Sequence, residues 1–187
     1  KAFDMVNHEI LLAKLERYGI RDKAYDLLKD FLSNRIQCVK INEATSYIGH
    51  LKRGIPQGTQ KGPKLFSIYV NDMKELSTNS KIFMFADDTV LLFDLSKDQF
   101  DEASDYIKDD LSLLNEYYSN NKLVLNLCKS QAMIFGNVPQ NILKILDDFH
   151  INVVDTFKYL GIFIDSQLNF QPALAALHKN LNQTIGA

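Results

Sequence analysis

Aspartates stand next to each other at three places in this chain, 87/88, 109/110 and 147/148. With 17 aspartates among 187 residues, chance alone yields one or two such pairs, so the dipeptide means nothing without its surroundings. The surroundings differ. The 109/110 pair lies on a helix face and 147/148 precedes a loop. Asp87 and Asp88 separate two apolar runs, Ile82 to Ala86 and Thr89 to Phe93, and so read as the tip of a hairpin of buried-type strands. Two carboxylates on a rigid scaffold offer the hard oxygen donors that a divalent cation such as Mg²⁺ takes. The plain alternative is that aspartates form good turns.

Lys129, which follows Asn126 at the end of an expected strand, could meet a phosphate, although most surface lysines are only solvated. Gly58 to Lys64 is glycine-rich but fits neither the P-loop nor the dinucleotide-binding pattern. The four histidines are scattered and suggest no Ser/His/Asp arrangement. Cys38 and Cys128 form no CxxC pair and have no histidine at metal-ligand spacing, which disfavours a disulfide scaffold and a structural zinc site.

The elements that must hold these residues follow from periodicity. Asn7 is a plausible N-cap for a helix with Leu11, Leu15 and Tyr18 at i, i+4 and i+7, stopped by Gly19. Asp22 is expected to cap a second helix with Ala24, Leu27, Leu28, Phe31 and Leu32 on one stripe. Strands are expected at 36–41 and 45–51 around Asn42 and Glu43. A crowded Gly/Pro loop from Gly54 to Pro63 then leads into a helix with Leu65, Ile68, Tyr69 and Met73 inward. The capping box Ser96/Gln99 opens a long helix with Phe100, Ala103, Ile107, Leu111 and Leu114 inward. Strands at 122–127 and 131–135, a hairpin near 151–165 and a helix from Phe170 complete an α+β reading.

The length fits about one domain. The 46% apolar and 24% charged shares are ordinary for a globular chain, and no run approaches the ~18 apolar residues of a membrane span. Membrane-embedded, collagen-like and wholly disordered classes are excluded. Nothing like a signal peptide follows Lys1, so an intracellular fragment is expected, nucleus or cytoplasm undecided. The net charge of −2 conceals an asymmetry. Residues 1–64 carry 12 basic and 7 acidic side chains, and the remainder 9 and 16. A basic part could touch phosphate and an acidic part a metal, or both could be solvated faces.

Five stretches occur in a telling order: Lys1-Ala2-Phe3-Asp4; Gly54-Ile55-Pro56-Gln57-Gly58 through Gly62-Pro63; Phe85-Ala86-Asp87-Asp88; Leu125-Asn126 with Lys129-Ser130; and Tyr159-Leu160-Gly161. Their order and spacing match motifs A to E of reverse transcriptases. From residue 1 to about residue 170 the chain resembles those of non-LTR, jockey-like retrotransposons. The resemblance implies an RNA-directed DNA polymerase palm over 1–168, an antiparallel sheet with helices packed on one face, with a fingers-type insertion at 8–53 and the start of a thumb at 169–187. It implies Mg²⁺ or Mn²⁺ as cofactor, and an RNA template, a DNA primer and deoxynucleoside triphosphates as partners.

The resemblance also implies roles. Asp87 and Asp88 would hold the metal. Phe3 would be the sugar-sensing aromatic, and Gln57 with Gly58 would lie against the incoming nucleotide. Lys129 would protonate the departing pyrophosphate, and Tyr159, Leu160 and Gly161 would steady the primer. The principal motif A aspartate falls just upstream of the position matched by Lys1, and Asp4, beyond the aromatic, is not expected to replace it. The 187 residues alone are therefore expected to polymerise poorly. Thr59-Gln60-Lys61 and Lys64 also depart from the apolar residues usual in relatives. Two other readings stand beside this one: a degenerate transposon remnant that binds RNA without catalysis, and an unrelated metal-dependent phosphohydrolase that would need more ligands near the hairpin.

Overall fold

A computed structural model describes residues 2–76, 78–126 and 129–185. The chain divides into two compact units, one of residues 1–93 and 109–125, the other of 94–108 and 126–187.

The first unit begins with a single helical turn, α1 (Ala2–Met5), and helix α2 (His8–Arg17). Asn7 caps α2 as its sequence predicts, its side chain accepting from the Ile10 N–H at 3.0 Å. Gly19, at φ +86, closes it in a Schellman arrangement, with Ile20 N–H donating to Leu15 O at 3.0 Å. Helix α3 (Asp22–Leu32) follows, but Asp22 does not cap it. Arg21 occupies the cap position without a side-chain bond, and Asp22 sits at φ +53, outside the extended conformation a capping side chain needs. The inward side of α3 is Tyr25, Leu28, Phe31 and Leu32, whereas Ala24 and Leu27 are exposed.

The expected strands at 36–41 and 45–51 form one ribbon in two pieces. β1 (Arg35–Gln37) pairs with β4 (Gly49–Leu51), and β2 (Lys40–Ile41) with β3 (Ala44–Thr45). Helix α4 (Lys61–Val70) carries Pro63 in its first turn, and a 3-10 segment (Asn71–Glu75) extends it. Leu65, Phe66, Tyr69 and Val70 of α4 are buried with Val6, Leu11, Leu15, Leu32, Ile55 and Leu123 in the main core. The hairpin β5 (Lys81–Phe85) and β6 (Asp88–Leu92) packs Ile82, Met84 and Leu91 on a smaller cluster of Met73, Leu114 and Tyr117.

Helix α5 (Phe100–Asn120) runs from the second unit into the first. The Ser96/Gln99 box forms as expected at its start, across a 3-10 turn (Lys97–Gln99). In the first unit α5 supplies two polar anchors that periodicity did not reveal. Asp110 is 1% exposed and accepts from Asn79 N–H, Asn79 Nδ2 and Ser80 N–H at 2.9, 3.0 and 2.9 Å. Tyr117 donates to Asp72 Oδ1 at 2.5 Å, and Lys14 Nζ donates to the same oxygen at 2.8 Å and to Tyr69 O at 2.6 Å. This network ties α2 to the end of α4 and to α5. Burial alone would raise the Asp72 carboxyl, but the bonds from Lys14 and Tyr117 and the lysine charge outweigh it and hold it below its ordinary value.

The second unit holds β7 (Gln131–Ala132), helix α6 (Gln140–Asp148), β8 (Asn152–Val153), the hairpin β9 (Thr156–Tyr159) and β10 (Ile162–Asp165), and helix α7 (Gln171–Ile185). Asp165, 7% exposed, accepts from the backbone N–H groups of Gln167, Asn169 and Phe170 and so fixes the turn that enters α7.

Three expectations need correction. Residues 122–126 form no strand, because Lys122 at φ +54 closes α5 with a Schellman turn and Leu123 folds back into the core; Leu127 lies outside the described residues. The stretch 131–135 contributes only two strand residues, paired in parallel with β8. The expected single antiparallel sheet is, among the described residues, five two-stranded ladders with one of them parallel.

Candidate active site

The N-terminal turn that carries Phe3 lies against the Gly/Pro loop that carries Gln57. Gly54 N–H donates to Val6 O at 2.8 Å, Ile55 N–H donates to Phe3 O at 2.9 Å, and His8 Nε2 bonds the Gly54 carbonyl at 2.8 Å. Gly54 is required by this approach: at φ +89, a Cβ there would stand 3.0 Å from both the Cα and the carbonyl oxygen of Asp4. The loop then turns into α4 through Gly62, whose Cβ would meet Pro56 O at 2.8 Å.

Phe3 is half-buried and stacked on Phe66, ring centroids 4.4 Å apart at 19°, which ties its position to the core of α4. Gln57 is exposed and donates from Nε2 to Asp4 Oδ1 at 2.9 Å. Asp4 therefore turns to the glutamine, a pairing that the sequence did not suggest. Gly58, at φ +75, is exposed with open space around it.

Asp87 and Asp88 are both exposed on the first unit's hairpin. The tip is displaced by one residue from the expectation. Phe85 stands opposite Asp88, so Ala86 and Asp87 make the turn and Asp88 is the first residue of β6. Nor are the strands of buried type, since Phe83 and Phe85 on the outer face are 50% and 59% exposed. Among the described residues, no group of three or more His, Cys, Asp or Glu side chains converges to hold a metal ion. The donor type suits Mg²⁺: two exposed carboxylates fit a hard cation whose other positions go to water and phosphate oxygens. They do not by themselves bridge two ions.

Lys129 and the 159–161 stretch belong to the second unit. Lys129 is exposed in a short turn where its N–H and that of Ser130 donate to Asn126 O at 3.0 and 3.1 Å. Tyr159 pairs with Ile162, and the two-residue turn between them, Leu160 and Gly161, has φ +48 and +91, the mirror-image turn favoured in tight hairpins. Two shallow grooves of this unit, around Asp155, Ser166 and Gln167, contain none of the residues singled out in the sequence.

Comparison with known proteins gives this arrangement a context. The chain is 27% identical over 192 residues to a probable RNA-directed DNA polymerase from transposon X-element of Drosophila melanogaster, covering 99% of the chain and 21% of that protein. It is 28% identical over 178 residues to the RNA-directed DNA polymerase from mobile element jockey of the same fly, covering 91% and 19%. It is 25% identical over 187 residues to the retrovirus-related Pol polyprotein from type-1 retrotransposable element R2 of Popillia japonica, covering 89% and 30%. The chain thus spans about a fifth of the length of the fly relatives. The family described as reverse transcriptase (RNA-dependent DNA polymerase) matches residues 1–164, and the chain belongs to that family.

Proposed function

We propose that the chain is palm and adjoining fingers and thumb sequence of an RNA-directed DNA polymerase, palm over 1–168 with the insertion at 8–53 and thumb from 169. The observation that carries this reading is the seating of the Phe3 segment on the Gly54 to Gly58 loop, through Ile55 N–H to Phe3 O and Gln57 to Asp4. It supports the reading because it brings two of the motif stretches, separated by some fifty residues of sequence, against each other.

In this reading Asp87 and Asp88 hold Mg²⁺ or Mn²⁺, whose charge, when bound, makes the primer 3′-OH more acidic and offsets the charge on the phosphates. The 3′-hydroxyl gives its proton to solvent as its oxygen forms a bond to the α-phosphorus of a deoxynucleoside triphosphate paired with an RNA template, and the bond to pyrophosphate breaks. Lys129 gives the departing pyrophosphate a proton. Phe3 blocks a ribose 2′-OH, Gln57 and Gly58 lie against the nucleotide, and Tyr159 to Gly161 steady the DNA primer. Strand synthesis is expected of a chain that also supplies a motif A aspartate, and only poor synthesis of these 187 residues.

The test is Mn²⁺ titration followed by amide NMR. Signals of residues 85–89 should broaden first, and the broadening should vanish in both Asp87→Asn and Asp88→Asn. Unchanged broadening in both variants would remove the metal role. RNA binding without any metal response would favour the non-catalytic remnant.

A further inference from the structure

The packed face of the β5/β6 ladder carries one polar side chain. Strand alternation puts Ile82 opposite Leu91 and Met84 opposite Thr89 on that face, while Phe85 and Asp88 pair on the other. Ile82, Met84 and Leu91 pack on the Met73, Leu114 and Tyr117 cluster. A valine would fill the place of Thr89 with the same shape, and a hydroxyl turned toward apolar packing costs free energy unless it is bonded. Its partner is Tyr118 of α5: the two hydroxyls share a hydrogen bond at 2.9 Å across 29 residues of sequence.

Tyr118 is the better fixed of the two. It is half-buried and packs against both core clusters of the first unit. Its ring stands edge-on to that of Tyr117, centroids 6.0 Å apart at 76°. The end of the hairpin is the freer side. Among the described residues β5 and β6 pair only with each other, and an isolated two-stranded ribbon is marginally stable at best. Beyond Met84 and Thr89 one pair, Phe85 with Asp88, precedes the turn of Ala86 and Asp87. Thr89 is therefore anchored to the core one residue from Asp88 and two from Asp87.

We propose that Tyr118 is a positioning residue for the cation site: by holding the Thr89 hydroxyl it fixes the backbone from which Asp88 and Asp87 project, so that both carboxylates are presented before a divalent cation arrives. This rests on the reading of Asp87 and Asp88 as metal ligands, which itself gives Tyr118 and Thr89 no role.

The probe is Mn²⁺ alone, titrated into the whole chain. The readout is the concentration that half-broadens the amide signals of residues 85–89, with the urea midpoint measured beside it. Tyr118→Phe and Thr89→Val each remove a hydroxyl and keep the shape, and each should raise that concentration about fivefold, less than the loss of a partner bonded directly to a ligand. The double variant should add nothing to either single one, since a single bond is at stake. Thr89→Ser keeps the hydroxyl and should stay within about twofold of wild type. Tyr117→Phe is the control for general loosening of α5: it should lower the urea midpoint and leave the Mn²⁺ concentration within about twofold.

A wild type without broadening at residues 85–89 removes the metal reading and this proposal with it. Broadening in wild type that Tyr118→Phe and Thr89→Val shift by less than about twofold overturns the proposal alone. So do an equal shift in Tyr117→Phe, additive losses in the double variant, or a Thr89→Ser chain as weak in Mn²⁺ as Thr89→Val.

Discussion

The Gln57 amide donates to the Asp4 carboxylate at 2.9 Å on the surface of the first unit. A hydrogen bond in water contributes little, about 1 kcal/mol at most, so its meaning is positional. Asp4→Ala and Gln57→Ala should each leave the urea midpoint almost unchanged. In a longer, active protein Gln57→Ala should raise the KM for deoxynucleotides while Asp4→Ala has the smaller effect. A large loss of stability in either single variant would show the pair to be structural instead.

The backbone approach beneath that pair is a different matter. Gly54→Ala places a methyl 3.0 Å from Asp4 backbone atoms at φ +89, so clash and strain add, and the expected cost is about 3 kcal/mol or more. Gly58→Ala shares the positive φ but has open space, and should cost only the strain, about 1 kcal/mol. Chemical denaturation of the two variants compares them directly. Equal costs would mean that the N-terminal turn does not sit on the loop.

Asp110 and Asp109 are neighbours in sequence and opposites in environment. Asp110→Ala would orphan the buried N–H of Ser80 and both donors of Asn79, at an expected cost of about 3 kcal/mol. Asp109→Ala, at an exposed position, should stay within about 0.5 kcal/mol. Thermal unfolding of both variants is sufficient to decide.

These residues show what could and could not be read in advance. Asn7, the Ser96/Gln99 box, the start of α7 and the three hairpins were legible because caps and turns are settled within a few residues of sequence. Asp110 was dismissed as part of a helix face because its partners lie about thirty residues upstream. Lys14, Asp72 and Tyr117 were unreadable for the same reason, each a polar residue on a helix until tertiary packing joins them. The false strand after Asn121 arose because Lys122 takes the left-handed position that periodicity assigns to glycine. At the site, the resemblance implied roles for Phe3 and Gln57 toward a nucleotide but gave no sign that Asp4 would bond the glutamine.

The Lys14, Asp72 and Tyr117 network carries a pH signature. A carboxyl held below its ordinary 3.8 in the folded chain contributes stability that is fully present above that value and lost as pH falls through the depressed one. Wild type should therefore lose stability below pH 3.8 more steeply than Asp72→Ala. At neutral pH Asp72→Ala should cost about 2 to 3 kcal/mol by leaving Lys14 unpaired, and Tyr117→Phe about 1 kcal/mol. Urea midpoints across the acid range check both. Parallel curves for wild type and Asp72→Ala would dissociate the acid transition from this carboxylate.

The hairpin tip offers a prediction of opposite sign. Ala86 holds φ +53 at the first turn position, a conformation that an L side chain pays for and glycine does not. Ala86→Gly relieves that strain but adds freedom to the unfolded chain, which returns part of the gain. The net expectation is stabilisation of about 0.5 kcal/mol, with the register Phe85 to Asp88 unchanged. Because Asp87 occupies the next position, the same variant separates local turn strain from metal binding. Mn²⁺ broadening at residues 85–89 should survive Ala86→Gly and disappear in Asp87→Asn. A glycine variant that is less stable than wild type would show that Ala86 does not adopt the left-handed turn.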